Sequence, residues 1–570
     1  MNQLDWIVLV TTLAGIMAYG IYKSRTTRNL DGYFLSNRSM PWWLVLLSIM
    51  GTQASAVTFL AAPGQAYTDG MRFVQYYFGL PIAAIVICIT FVPVFNRLKI
   101  YTAYEYLENR FDSKTRTLTS FLFLLQRGLS TGISIFAPSL ILSALLGWNI
   151  YWTNLFMGGL LIVYTVTGGA RAVAYTQQLQ LIIIFAGMFI AGYYVVQHLP
   201  AQVGFAEALT ISGKLGKFNV ITTGMKNGSF DWGDRYNIVS GIIGGFFLAL
   251  SYFGTDQSQV GRYLTAKSVT ESRIGLLMNG LVKVPMQFFI LLIGVLVFTF
   301  YQFNQAPAFF NQKELVVLEA SEHKDALQRL QQRMGEVQLE KDKVLTDYAV
   351  QKEESSLGQL KTLQLSTDSI RKEVKLLIKK NGGDDNDTNY IFLRFVTDYL
   401  PVGLVGLLIA IIFLASWGSI AAALNSLASC TVVDFHKRFS KKEEDAERDY
   451  KISKWYTLAW GVFCIIVAMF ASNIGNSLIE AVNILGSLFY GTILGIFLVA
   501  FYCKKIKGNA VFAAAVITEA IIIGLFILSE NKVISLGFLW LNAIGALLVM
   551  IIAVIWQWLV APAGKKEPGL

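Results

Sequence analysis

Residues 48–64 read SIMGTQASAVTFLAAPG. The stretch is apolar enough to enter a bilayer, yet it mixes small and hydroxyl residues with Gly51 and a Pro63–Gly64 pair. Small residues let helices pack closely. Together with polar side chains at mid-span they predict a helix interrupted inside the membrane. Such a break frees carbonyl oxygens to ligate a small cation and aims helix ends at a solute. Residues 241–257, GIIGGFFLALSYFGTDQ, carry the same signature. Residues 406–426, GLLIAIIFLASWGSIAAALNS, add a third piece. There Ala415 and Ser419 are four apart and share a helix face. A carbonyl freed near Ala415 and the Ser419 hydroxyl would be neutral oxygen ligands suited to Na⁺, not the charged cage usual for Ca²⁺. Read alone, Ser419 is equally a serine bonded to its own preceding turn.

The rest of the chain agrees with a membrane setting. Of 570 residues, 54% are hydrophobic and only 15% are charged, against about 25% charged in soluble domains. That balance excludes a disordered chain and a water-soluble enzyme of this size. Thirteen apolar stretches are read at 5–22, 43–66, 73–95, 119–143, 150–168, 176–197, 238–260, 275–302, 401–430, 455–472, 476–502, 510–528 and 534–560. A crossing helix needs about 20 such residues, and only helices satisfy the backbone of such segments in lipid. The fold class is therefore an all-α polytopic membrane protein of about thirteen transmembrane helices.

Basic residues cluster in 23–41, 96–118, 261–274, 431–454 and 503–509, whereas the short loops of the opposite side hold only Arg72 and Lys532. This bias predicts a multi-pass protein of the cell (inner or plasma) membrane with the N-terminus outside and the C-terminus cytoplasmic. The net charge of +10 faces membrane lipid; no basic patch is interleaved with aromatics, so no nucleic-acid partner is expected. The first span lacks a basic n-region and an Ala-x-Ala site, and reads as a retained anchor. The four cysteines have no metal-ligand spacing, so no zinc site or disulfide framework is expected.

Residues 312–389 hold 13 Lys/Arg and 15 Asp/Glu, a charged insert between the eighth and ninth spans. Leu327, Leu330, Met334, Val337, Val344 and Tyr348 recur at helical steps, interrupted by Lys341. Leu360, Leu363, Ile370, Val374 and Leu377 do the same, interrupted by Thr367. The pattern predicts an extracytoplasmic hairpin of two amphipathic helices turning at Glu353–Gly358. It is either a solvated decoration or a docking arm for an envelope protein or a second copy. Four units follow: 1–302, the insert 303–390, 391–502 and 503–570.

These pieces resemble the sodium:solute symporter family, which includes sodium/glucose, sodium/proline and sodium/sialic-acid cotransporters. The likeness covers about residues 4–302 and 390–528. It rests on Gln53–Gly70 (QASAVTFLAAPGQAYTDG), Gly168–Val173 (GGARAV), Gly254–Gln257 through Gly261–Leu264, and Pro401 to Ser426. The resemblance implies an inverted-repeat transporter core of five-plus-five helices with two broken helices, working by alternating access. It implies a Na⁺ site at Gly51, Ala54, Ala415, Gly418 and Ser419. The family usually has Ser or Thr where Gly418 stands, so one hydroxyl ligand is missing. A second sodium site of some relatives would need a carboxylate at Gln177 and hydroxyls at Ala421 and Ala422, which implies one Na⁺ per cycle here.

By similarity, the solute would meet Gln53, Val57, Thr58, Ala249, Tyr252 and Phe253, with Gln65 or Tyr67 nearby. Val57 and Thr58 argue against a glucose-like site. Arg127, an arginine inside the fourth span, either snorkels to a helix end or binds an anionic solute. The expected function is Na⁺-coupled symport of a small polar organic solute, carboxylate-bearing if Arg127 binds it, with no catalytic residue. The alternatives are a proton-coupled carrier of the same fold and an envelope scaffold or receptor acting through the insert.

Overall fold

The computed structural model describes residues 1–24, 30–351, 354–439, 446–471 and 478–560. Helices dominate because every apolar run must close its own backbone hydrogen bonds in lipid. They are α1 (Gln3–Ser24), α2 (Trp42–Gln53), α3 (Ala56–Asp69), α4 (Leu80–Leu98), α5 (Ser113–Leu146), α6 (Ile150–Gln197), α7 (Gly245–Gly254) and α8 (Gln257–Tyr263), then α9 (Val269–Phe303), α10 (Lys324–Gln351) and α11 (Glu354–Lys380). The last five long helices are α12 (Leu404–Cys430), α13 (Ala446–Phe470), α14 (Leu478–Tyr502), α15 (Gly508–Glu530) and α16 (Phe538–Val560). The one ribbon among the described residues pairs Met225–Lys226 with Ser229–Phe230. Asn227 and Gly228 both have positive φ at its turn, as a two-residue hairpin requires.

Caps set several boundaries. Asp112 accepts from Thr115 N–H at 2.8 Å to start α5, and Ser268 accepts from Glu271 N–H at 3.2 Å to start α9. Asp5 of α1 is buried and its Oδ1 accepts from Gly403 N–H at 2.6 Å, placing a carboxylate at the positive end of α12. The first helix thus holds the central one, whose residues are buried along nearly all their length.

Ten helices among the described residues are long and apolar enough to cross a membrane, and three apolar helices are shorter: Trp42–Gln53, Ile150–Val166 and Ser240–Gly254. Two of the short ones are halves of broken helices. The third is the first leg of α6. That helix is continuous over 48 residues, yet Tyr164 Oη lies 2.5 Å from Thr176 Oγ1. A straight helix would separate those positions by about 18 Å, so α6 is not straight between them.

Both expected breaks are present, though not at the glycines or prolines that suggested them. Between α2 and α3 the chain leaves helical geometry at Ala54 (ψ 86°) and Ser55 (ψ 170°). Pro63 and Gly64 lie inside α3. Between α7 and α8 the break falls at Thr255 and Asp256 (ψ 116°). The Gly241–Gly245 run is helical, opening on a wide π turn at Ser240–Gly244. Its glycines serve close approach: a Cβ on Gly241 would stand 2.2 Å from the Gln75 carbonyl, and one on Gly245 2.5 Å from that of Tyr76.

In the insert α10 and α11 lie side by side. Arg333 pairs with Glu373 at 3.3 Å and Lys341 donates to Gln364 at 2.8 Å, so the helices run antiparallel. The supposed interruptions Lys341 and Thr367 are buried: Lys341 reaches Gln302 Oε1 at 3.3 Å at the end of α9. Burial pushes its amine down to about 8. The turn was expected over Glu353–Gly358. Residues 354–358 are helical instead, and 352–353 lie outside the described residues. Arg371 (2.6 Å) and Lys375 (2.9 Å) clasp Asp387, which also accepts from Phe310 N–H. Burial alone would raise the Asp387 carboxyl, but the two cations hold it below the ordinary carboxylate value. This clasp fastens α11 to both chain segments that join it to the membrane helices.

Candidate functional site

The break after α2 redirects three amides. Ala54 N–H donates to Met50 O (2.8 Å), Ser55 N–H turns back to Gln53 O (3.0 Å), and Thr58 N–H goes to Ser55 O (2.9 Å). Among the described residues no backbone N–H then reaches the carbonyls of Gly51 or Ala54. Free carbonyls at membrane depth are tolerated where they face a cavity or an ion. On α12, Ser419 Oγ donates to Ala415 O (3.1 Å) and Ser416 O (3.0 Å), which leaves its oxygen lone pairs to accept. The expected freed carbonyl near Ala415 is not found: α12 runs unbroken through that residue, and Ala415 O is engaged within the helix. Among the described residues no group of three His, Cys, Asp or Glu offers a charged metal site.

Gly418 is accounted for differently. Gln177 of α6 donates to Gly418 O (3.0 Å) and to Thr52 Oγ1 (3.3 Å), and accepts from Ser48 Oγ (3.0 Å). A Cβ at position 418 would stand 2.7 Å from Gln180 Oε1, and one at Gly51 2.8 Å from Gln177 Cβ. The two glycines make room for the glutamines. The Gly418 carbonyl is already engaged, and a hydroxyl side chain at that position would collide with Gln180.

A cavity with about 130 Å³ of room for water centres opens beside the two breaks. One water needs roughly 10–15 Å³ on that measure, so a small organic solute fits. Gln53, Val57 and Thr58 from the first broken helix line it, with Arg127 from α5 and Ala249, Tyr252 and Phe253 from the second. Gln65 and Tyr67 do not. They lie beyond Pro63 on α3, where the Tyr67 ring packs on Phe298 (5.4 Å) and Phe310 (5.5 Å).

Arg127 is 9% exposed and faces the cavity, not a helix end. Its Nη1 is 3.9 Å from Asp256 Oδ2, and its Nε has no hydrogen-bond partner. Asp256 does not depend on it. That carboxylate accepts from Tyr490 Oη (2.7 Å), Ser258 N–H (2.7 Å) and Ser258 Oγ (2.5 Å). The guanidinium is therefore held in place with donors to spare.

Sequence reasoning missed Lys283, which lines the same cavity at 2% exposure. Its amine sits 5.4 Å from the Tyr77 ring centre, and no carboxylate is within ion-pair distance among the described residues. The signal was available: a lone lysine inside the apolar stretch 275–302. Asn483 and Tyr490 of α14 also line the cavity. Asp256 is the acidic neighbour of Arg127. The Arg127 guanidinium, beside one well-satisfied carboxylate, and the Lys283 amine both present N–H donors to the cavity.

A profile of the sodium:solute symporter family matches residues 33–339 and 372–518. The chain is 25% identical to a sodium/sialic acid symporter of Proteus mirabilis over 98% of this chain and 96% of that protein. It is likewise 25% identical to one of Aliivibrio fischeri, over 99% and 94%. A sodium-dependent multivitamin transporter of Oryctolagus cuniculus is 25% identical over 92% and 70%. Among solved structures, a substrate-bound, outward-open Na⁺-coupled sialic acid symporter superposes with a TM-score of 0.74 at 23% identity, covering 99% of both chains.

Proposed function

Because the chain belongs to the sodium:solute symporter family, we propose that it moves a small carboxylate-bearing organic solute across the membrane together with Na⁺, one ion per cycle, by alternating access. It is a transporter, not an enzyme, and no bond is broken in its cycle. The observation that carries the reading is Arg127, buried at the cavity with an unpartnered Nε beside an already satisfied Asp256. Lys283 adds an amine donor for the same solute. Sialic acid, named for two of the relatives, is the first probe to try.

Na⁺ binds the freed carbonyls of Gly51 and Ala54, with Ala415 O and Ser419 Oγ completing the site from α12. Bound there, it ties the split helix to α12 in the shape that closes the solute cavity. Each ion contributes about 2.3 kcal/mol per 100 mV of membrane potential. Coupling requires that ion and solute each tighten the other's binding by the same factor. The chain crosses thirteen times, with the N-terminus and the α10–α11 hairpin outside, and the hairpin's outer face is open to an envelope partner.

A panel of carboxylates and neutral analogues, scored by thermal stabilisation with and without Na⁺, tests the reading. A ligand that stabilises only with Na⁺ is expected, and Ser419→Ala should need more Na⁺ for the same shift. Stabilisation that persists with choline in place of Na⁺ points to a proton-driven carrier. Ligand binding with no response to either cation ends the symport reading.

A further inference from the structure

Glu519 occupies the middle of α15, eleven residues from each end of Gly508–Glu530, or about 16 Å of helix either way. The hydrocarbon core is about 30 Å thick, so its carboxyl lies near the bilayer centre. The side chain is 8% exposed, and neither carboxyl oxygen has a hydrogen-bond partner among the described residues.

The helices packed on α15 are α5, α14 and α16. The last contains no ionisable side chain. On α14, Glu480 is paired with Arg235, Tyr490 with Asp256, and Tyr502 with Thr90. On α5, Arg116 is committed to Asp434 and Glu108, Arg127 faces Asp256, and Lys114 is exposed. Among the described residues no cation compensates Glu519. Its polar neighbour is the Thr492 hydroxyl across the α14 seam, itself fully buried and without a partner.

A bare carboxylate in such a place is costly, whereas a protonated carboxyl is neutral and can donate to a hydroxyl. We propose that Glu519 is a proton-binding site inside the membrane, a carboxylic acid that bridges α15 to Thr492 while protonated. It lies apart from the solute cavity and the proposed Na⁺ site. Thr492 is two residues beyond Tyr490, whose hydroxyl holds Asp256 and whose carbonyl accepts from Ser251 of α7 at 2.7 Å. Proton loss at Glu519 therefore sets a charge against the helix that forms one wall of the cavity. The proton site stands independently of the transport reading; only its effect on uptake rests on it.

The direct test is infrared spectroscopy of the full chain in lipid, with ¹³C-labelled glutamate to separate glutamic from aspartic acid bands. A glutamic-acid carbonyl band is expected at neutral pH, absent from Glu519→Gln and fading as pH rises. No such band in the wild-type protein overturns the proposal, and needs no variant to fold. A band unchanged in Glu519→Gln overturns it too. In vesicles, uptake should fall with rising pH in wild type and stay flat in Glu519→Gln. Equal pH profiles refute the link to transport while leaving the infrared result to judge the proton site.

Discussion

Replacing Arg127 with methionine separates a solute-binding arginine from a structural one. The substitution keeps an unbranched apolar stem and removes the guanidinium. Asp256 retains its three other donors, at 2.7, 2.7 and 2.5 Å, and the lost Arg127–Asp256 contact is 3.9 Å long, beyond hydrogen-bond distance. The unpartnered Nε disappears with the side chain. Removing one partner of a buried ion pair costs up to about 3–5 kcal/mol, and the three donors that Asp256 retains keep the loss below that ceiling. The change in solute affinity should be selective for the acid. A hydrogen bond to a charged group contributes about 1.5–3 kcal/mol, and about 1.4 kcal/mol is tenfold. The carboxylate ligand should bind about 10- to 150-fold more weakly to Arg127→Met, while its neutral methyl ester binds both proteins alike. Titration calorimetry with both ligands in saturating Na⁺ reads this out, with melting temperature as the control. An acid affinity within threefold of wild type, or an equal loss for acid and ester, would refute the assignment. A large fall in melting temperature with selectivity intact would return Arg127 to a structural role.

Gln177→Leu deletes three hydrogen bonds in a fully buried seam. At about 0.5–1.5 kcal/mol each, stability should drop by about 1.5–4.5 kcal/mol in a denaturation assay; an unchanged midpoint would show the amide to be idle. Lys341 titrates near 8 because burial disfavours its charged form. Between that value and the unfolded lysine's higher one, the unfolded chain binds more protons, so stability should rise with pH through that window. Lys341→Met should abolish the slope, and an identical pH dependence in both proteins would exclude Lys341 as its source. For topology, Lys361→Cys places a thiol on the exposed face of α11. Cys503 is the one native cysteine that is not buried, so it is replaced first. Labelling of intact cells by an impermeant maleimide is expected, and labelling only after permeabilisation would invert the proposed orientation.

The breaks were legible because a small-and-hydroxyl run inside an apolar one is hard to explain as ordinary lipid-facing helix. Their positions were not, because glycine marks two different needs. Gly241 and Gly245 admit a neighbouring backbone, and the chain breaks later, at Thr255–Asp256. Val57, Thr58, Ala249, Tyr252 and Phe253 came from the family resemblance, and the structure gathers them at one cavity. Gln65 and Tyr67 were misplaced because about two turns or more of helix beyond Thr58 carry them out of reach. Lys283 was overlooked because one charge hardly alters the apolar average of a 28-residue stretch. Lys341 and Thr367 looked like gaps in a stripe because periodicity cannot see a polar partner such as Gln302 or Gln364 arriving from another helix.

Gln177 bears on the number of ions. Two junctions join the first broken helix to α12. At one, the Gln177 amide donates to Gly418 O and Thr52 Oγ1, so the bridging positive end is a covalent part of the chain, present in every state of the sodium gradient. At the other, the Gly51 and Ala54 carbonyls have no backbone donor among the described residues. An ion gradient can act only on a junction whose bridge comes and goes. On the proposed reading, the amide junction contributes stability without coupling, and the carbonyl junction carries the coupling. A glycine at 418 in place of a hydroxyl residue leaves the Gln180 amide its place there, since a Cβ would stand 2.7 Å from Gln180 Oε1 and oblige that terminal amide to shift.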